Sequence, residues 1–380
     1  MLGDVRPDEG NASFWQVGSG VYMSALRNLI FGKLPQYTRK SRHLHQFIRH
    51  STPKKIINLL QAEWALRTGK THLKCFPYVY IIDPCNACNL RCPLCPTGNQ
   101  TRQRPTKMMS FECFTSIIDQ VKPYAIEVIL HNWGESFLHP RIFDMIRYVN
   151  KANIGTNISS NFNNITDQMI DQMVDSGLEH LTVSLDGTTQ EVYELYRVRG
   201  KFDDAISALE RLQQRKKVKK SHTPFVEWQF IVMKHNEHQI HEAEIMARKL
   251  DVEQFRLLSV GLPFEHLRNL QLAEQWISDN PLFQGYHPET MVKRGYLYDE
   301  PCFYPYRAMT INPDGGVAPC CAVHHEKWDF GNIQTQSLHE IWNNRYYLSA
   351  RSLFSNYPVD NPIKTICNGC PLYKQRKHIL

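Results

Sequence analysis

Between residues 77 and 259 the chain alternates short apolar, β-branched runs with longer stretches whose apolar residues recur every three or four positions. Residues 78–82, 126–130, 156–159, 181–185, 226–232 and 254–259 read as buried strands. Residues 111–121, 142–149, 167–175, 202–213 and 239–250 read as amphipathic helices. Ser110 stands where an N-cap belongs, ahead of Phe111, Phe114, Ile117, Ile118 and Val121. Six strand–helix units predict a parallel sheet covered by helices. Eight would close a full barrel, so the expected α/β fold is a partial (β/α)6 barrel of the TIM type. In such folds functional groups gather at the C-terminal ends of the strands.

On either side of this region the pattern changes. Residues 1–72 read as a basic, helical N-terminal arm, 73–262 as the barrel, and 263–300 as a linker with a short helix. Residues 301–380 read as a small Cys-rich α+β module. It holds a hairpin over 309–318, turning on Pro313-Asp314-Gly315-Gly316, and a helix over 338–348.

Composition narrows the class. The 380 residues are 42% hydrophobic, which excludes general disorder, collagen and coiled coil. No apolar run is long enough to span a bilayer, and the first residues lack a signal-peptide core, so a cytoplasmic location is expected. The net charge is +7, and the N-terminal segment carries it. Between Gly10 and Ala62 there is no Asp or Glu, against Arg27, Lys33, Arg39, Lys40, Arg42, Arg49, Lys54 and Lys55. Thr52-Pro53 resembles a helix start, and Ile56, Leu59, Leu60 and Trp64 follow at helical spacing. Two readings result: an arm for an anionic surface such as a membrane, an acidic peptide or nucleic acid, or a pair of helices packed on the main body. No dedicated nucleic-acid motif accompanies the charge.

The cysteines are clustered: 85, 88, 92 and 95, then 302, 320, 321, 367 and 370, with Cys75 and Cys113 apart. Clustering of this kind in a reducing compartment reads as metal ligation. Cys88, Cys92 and Cys95 form C-x3-C-x2-C directly after the first strand. Three thiolates can hold a [4Fe–4S] cluster with one iron left open for a small molecule. Cys85 could add a fourth ligand, which leaves structural zinc as an alternative.

The triplet, with its flanking CNLRC and CP, resembles the radical S-adenosylmethionine (SAM) superfamily. That resemblance implies a cluster that binds SAM at its open iron and cleaves it reductively to a 5′-deoxyadenosyl radical. It also implies a low-potential electron donor such as flavodoxin or ferredoxin. Other stretches match at successive strand ends. Gly134-Glu135 resembles the motif that meets the SAM ammonium. Ser160-Asn161, then Ser184 and Asp186, resemble ribose and methionine contacts. Tyr193, Arg197 and Arg199 resemble a Y-x3-R-x-R-G stretch, with Arg197 toward the SAM carboxylate or the substrate. Residues 257–260 would end the last strand near the adenine. Leu94 departs from the aromatic residue common before the last cysteine.

The second group, Cys302 with Cys320 and then Cys367-Asn368-Gly369-Cys370, can close a four-thiolate site, either a second [4Fe–4S] cluster or a zinc ribbon. Behind the first motif it resembles a SPASM extension, shortened to one auxiliary cluster, a layout shared with aminocyclitol-oxidising members. Cys320 or Cys321 could be the ligand, since neighbours cannot easily share one iron. Cys75, Cys85 and Cys113 read as core.

The favoured function is oxidation of a sugar, aminocyclitol or similar small metabolite, with the auxiliary cluster taking an electron. A peptide-modifying maturase or a radical SAM epimerase shares the same core. A metal-structured module binding nucleic acid or membrane is the alternative from another class. No general base stands out in the sequence.

Overall fold

The computed structural model describes residues 39–289 and 295–375. Its centre is one nine-stranded sheet in the order β6-β5-β4-β3-β2-β1-β7-β8-β9. Strands β1 (Val79–Ile82), β2 (Glu127–Ile129), β3 (Gly155–Ser160), β4 (His180–Ser184), β5 (Phe225–Val232) and β6 (Gln254–Ser259) are parallel in chain order. Helices Phe111–Val121, Ile142–Lys151, Asp167–Asp175, Phe202–Lys219 and Ile240–Lys249 lie between them. This is the expected six-unit partial barrel. Ser110 caps the first of these helices through the Cys113 amide, and Thr166 caps the third through Met169. A further helix, Gln190–Tyr196, starts at a Thr189 cap. It is too short for its periodicity to stand out.

The C-terminal hairpin forms as expected, with β7 (Ala308–Ile311) antiparallel to β8 (Gly316–Ala318). A two-residue strand β9 (Gly331–Asn332) follows. What spacing could not reveal is that β7 pairs in parallel with β1, Val79 opposite Ala308 and Ile82 opposite Ile311. The hairpin therefore continues the barrel sheet. The expected helix over 338–348 is two, Leu338–Trp342 and Arg345–Ser352. Asn344 breaks it by turning its side chain onto the amides of Tyr346 and Tyr347.

The helices Arg39–His50 and Pro53–Thr68 close the N-terminal end of the barrel. Several of their contacts reach residues just ahead of a strand. His50 Nε2 lies 2.8 Å from Glu179, before β4. Lys55 Nζ donates to the Asn153 carbonyl, before β3, at 2.6 Å. Glu63 accepts from Tyr78 at 2.8 Å, before β1, and from Arg307 at 2.6 and 2.7 Å, before β7. Lys55 is thus buried, and its ammonium pKa falls to about 8. The apolar spacing read from sequence is only half used: Leu59 is core, whereas Leu60 and Trp64 face out. Among the described residues no helix is long and apolar enough to cross a membrane.

Candidate active site

The loop after β1 carries Cys88, Cys92 and Cys95 at the opposite, C-terminal end. It is held by its own backbone and by Arg102. Cys95 N–H donates to the Cys92 carbonyl at 3.1 Å, and Asn99 N–H to the Cys95 carbonyl at 2.9 Å. The Arg102 guanidinium reaches the Asn86 carbonyl, Thr97 and Thr106. Gly98 is required for the turn, because a Cβ there would lie 2.4 Å from the Cys92 carbonyl oxygen. Leu90, Cys92 and Leu94 are buried against Met233, Val260, Leu262 and Trp276. Burial raises the Cys88 thiol to about 12, with Glu135, Cys92 and Cys95 adding to the rise. Cys85 is turned away and takes the Ala87 amide on its sulfur at 3.3 Å. Cys75 and Cys85 are buried as expected, and Cys113 is half-buried.

The predicted motifs assemble around this loop. A Cβ on Gly134 would meet the Cys85 carbonyl oxygen at 1.7 Å, so the Gly134 turn and the cysteine loop lock together. Glu135 is buried, and its two oxygens accept from Phe137 N–H at 3.2 Å and Asn161 N–H at 2.8 Å. Burial raises its pKa, and those amides oppose the rise. Asn161 donates to Asn89 at 2.8 Å and stands 3.8 Å from the Cys88 sulfur. Ser160 Oγ accepts from Phe162 N–H. Ser184 Oγ lies 3.4 Å from Ser159 Oγ, one strand further. Asp186 and Arg197 pair at 2.6 Å, and the other Asp186 oxygen accepts from Ile231 N–H at 2.7 Å. The Arg197 charge also bears on Cys92.

Asp83, at the end of β1, was not singled out by its sequence context. It accepts from Trp133 N–H at 3.1 Å and anchors the Gly134 turn from below. Full burial raises its pKa to about 7.

Cys302, Cys320, Cys367 and Cys370 converge, and each is pushed up by burial. Cys302 also feels the charges of the other three. Cys321 points elsewhere, 2.8 Å from the Tyr304 hydroxyl. Of the two adjacent cysteines, Cys320 is the one that feels the charges of Cys367 and Cys370. Among the described residues no group of three His, Cys, Asp or Glu side chains could hold a single metal ion. The two cysteine regions are clamped by Arg104. Its buried guanidinium pairs with Asp314 and Asp329 at 2.6 Å each and donates to the His324 carbonyl.

Between the two sets lies a cavity of about 330 Å³, bordered by Leu94, Trp133, Phe264, Tyr304, Cys321 and His324. A second cavity of about 610 Å³ shares Pro96, Phe264 and His324 with it, and adds Arg268, His325 and Lys327. His324 belongs to both. It is 6% exposed, its ring meets Trp133 edge-on at 5.4 Å, and its Nδ1 has no hydrogen-bond partner among the described residues. Burial lowers its pKa below the ordinary 6.5, Glu265 at 3.5 Å notwithstanding. Only the pair His324-His325 in the sequence could have drawn notice to it.

Comparison with known proteins agrees with this geometry. The radical SAM superfamily model matches residues 82–243, and the SPASM iron–sulfur cluster-binding domain matches 302–371. The tungsten-containing aldehyde ferredoxin oxidoreductase cofactor-modifying protein of Pyrococcus furiosus is 26% identical, covering 78% of this chain and 87% of its own. The mycofactocin maturase MftC of Mycobacterium ulcerans is 23% identical over 68% of this chain and 72% of its own. Among solved structures, SuiB of Streptococcus suis bound to S-adenosylmethionine superposes with a TM-score of 0.57 at 16% identity, covering 88% of this chain and 78% of that one. anSMEcpe with bound AdoMet gives 0.53 at 16%, covering 72% and 79%. The chain therefore belongs to the radical SAM superfamily and carries a SPASM domain, with a [4Fe–4S] cluster, SAM and auxiliary iron–sulfur as its cofactors.

Proposed function

We propose that this enzyme oxidises an apolar or aromatic side chain of a peptide or peptide-like substrate. The cavity between the two cysteine sets carries the reading. One wall comes from the first cysteine loop and the other from the segment around Cys321, so a group held there is flanked by both sites. Its lining is mostly aliphatic and aromatic. A polyol there would find only the Tyr286, Tyr298, Tyr304 and Tyr373 hydroxyls and His324 to replace the water lost from its hydroxyls, which disfavours the sugar or aminocyclitol expected from sequence. The maturase relatives, and SuiB bound to its precursor peptide SuiA, support the substrate class.

In this reading Cys88, Cys92 and Cys95 hold the SAM-binding cluster, and Cys302, Cys320, Cys367 and Cys370 the auxiliary one. When bound, SAM and its cluster supply a hydrogen-abstracting 5′-deoxyadenosyl radical, and the auxiliary cluster supplies a one-electron acceptor. Gly134, Glu135, Ser160, Asn161, Ser184, Asp186 and Arg197 form the SAM cradle. Leu94, Phe264 and Trp133 exclude water from the reacting carbon. His324, neutral at pH 7, takes up the proton that an oxidised carbon must shed.

The test is anaerobic turnover with SAM, a low-potential reductant and short peptides varied at one position. The expected product lacks two hydrogen atoms and forms from residues with aromatic or branched apolar side chains. Oxidation of polyols alone would overturn the substrate class. Uptake of solvent deuterium with no loss of hydrogen would assign epimerisation instead.

A further inference from the structure

The Pro53–Thr68 helix uses one face to close the barrel and leaves the other bare. Ile57, Leu60 and Trp64 are 57%, 52% and 61% exposed and stand at i, i+3 and i+7, on one stripe. The inward face instead holds Lys55, Asn58 and Glu63, each bonded to the barrel body. Tyr357, also half exposed, adjoins the C-terminal end of the helix, where Ser355 bonds the Gly69 carbonyl.

The charge around this stripe has one sign. Arg49, Lys54, Arg67, Lys70 and Lys74 are exposed. From His45 to Phe111 the only acids are Glu63 and Asp83, and both are buried. An exposed apolar stripe with Trp and Leu, on a helix whose own exposed charges, Lys54 and Arg67, are both basic, has the chemistry of a helix that lies in a bilayer interface. A second copy of the chain would set these cations against their own kind. Residues 10–38 are no better matched, since they add Arg27 and Lys33 and no acid.

We propose that this face seats on an anionic phospholipid surface. Ile57, Leu60 and Trp64 enter the interface, and the surrounding cations meet the lipid phosphates. Because the helix closes the end opposite the cysteine loops, docking leaves the barrel mouth open to the aqueous phase.

The test is flotation of the full chain with phosphatidylcholine vesicles, with and without phosphatidylglycerol. Binding is expected only to the anionic vesicles and weakens as salt rises. Trp64→Glu should release the protein. Lys54→Ala and Arg67→Ala should each weaken partition roughly five-fold. SAM cleavage in solution should be unchanged in all three, which shows that they fold. Equal binding to neutral vesicles, binding that survives Trp64→Glu, or no vesicle binding would each overturn the proposal. A dimer split by Trp64→Glu would assign the face to a second copy.

Discussion

The two cysteine sets are built by opposite means. The first draws its thiols from one loop, residues 88–95, whose shape is fixed by short-range backbone bonds, by Gly98 and by Arg102. The second gathers Cys302, Cys320, Cys367 and Cys370 from segments far apart, brought together by the β1–β7 register and the Arg104 clamp. A local site is written in spacing, whereas a distributed one depends on the sheet that carries it. The first should therefore fail when its own ligands or their immediate neighbours in the loop change, and the second also when a distant residue does.

The sharpest break comes from ligand removal. Cys88→Ala should reduce SAM cleavage to background, with methionine and 5′-deoxyadenosine as the measured products. Cys367→Ala should keep uncoupled SAM cleavage and lose product. Equal loss in both variants would mean that the two sites do not act separately. His324, which stands between the sets, gives the next effect. His324→Gln should lower product formation roughly 10²–10⁴-fold while SAM cleavage continues. The base must be neutral, and burial holds its pKa below 6.5, so product formation should be level above pH 6.5 and fall below it. That acid limb should vanish in the variant. The smallest effect on chemistry, though not on stability, belongs to Arg104. Arg104→Met leaves Asp314 and Asp329 without their cation, and loss of a buried partner costs about 3–5 kcal/mol. The urea midpoint should fall, and iron should leave the second site before the first.

The same contrast explains what was legible beforehand. The strands of the barrel, the Cys88–Cys92–Cys95 loop and the Gly134-Glu135 turn rest on local patterns, and the sequence displays them directly. The pairing of β7 with β1 links residues 79 and 308 and leaves no mark on either segment. Nor could spacing tell Cys320 from Cys321, because what distinguishes them is the contact of Cys321 with Tyr304 across the module. Nor does spacing divide the apolar residues of Pro53–Thr68 between core and surface, for a related reason. Lys55 and Glu63 look like surface residues until Asn153 and Arg307 are seen beside them.

The β1–β7 pairing also sets an order in time. A ribosome adds about 5–20 residues per second, so β7 emerges roughly ten to fifty seconds after β1. During that interval β1 has a bare edge, the kind of edge that recruits other strands. The three thiols at its end are already made, while Val260, Leu262 and Trp276, which later bury that loop, are still to come. For this chain the most exposed moment of the radical site is its own synthesis.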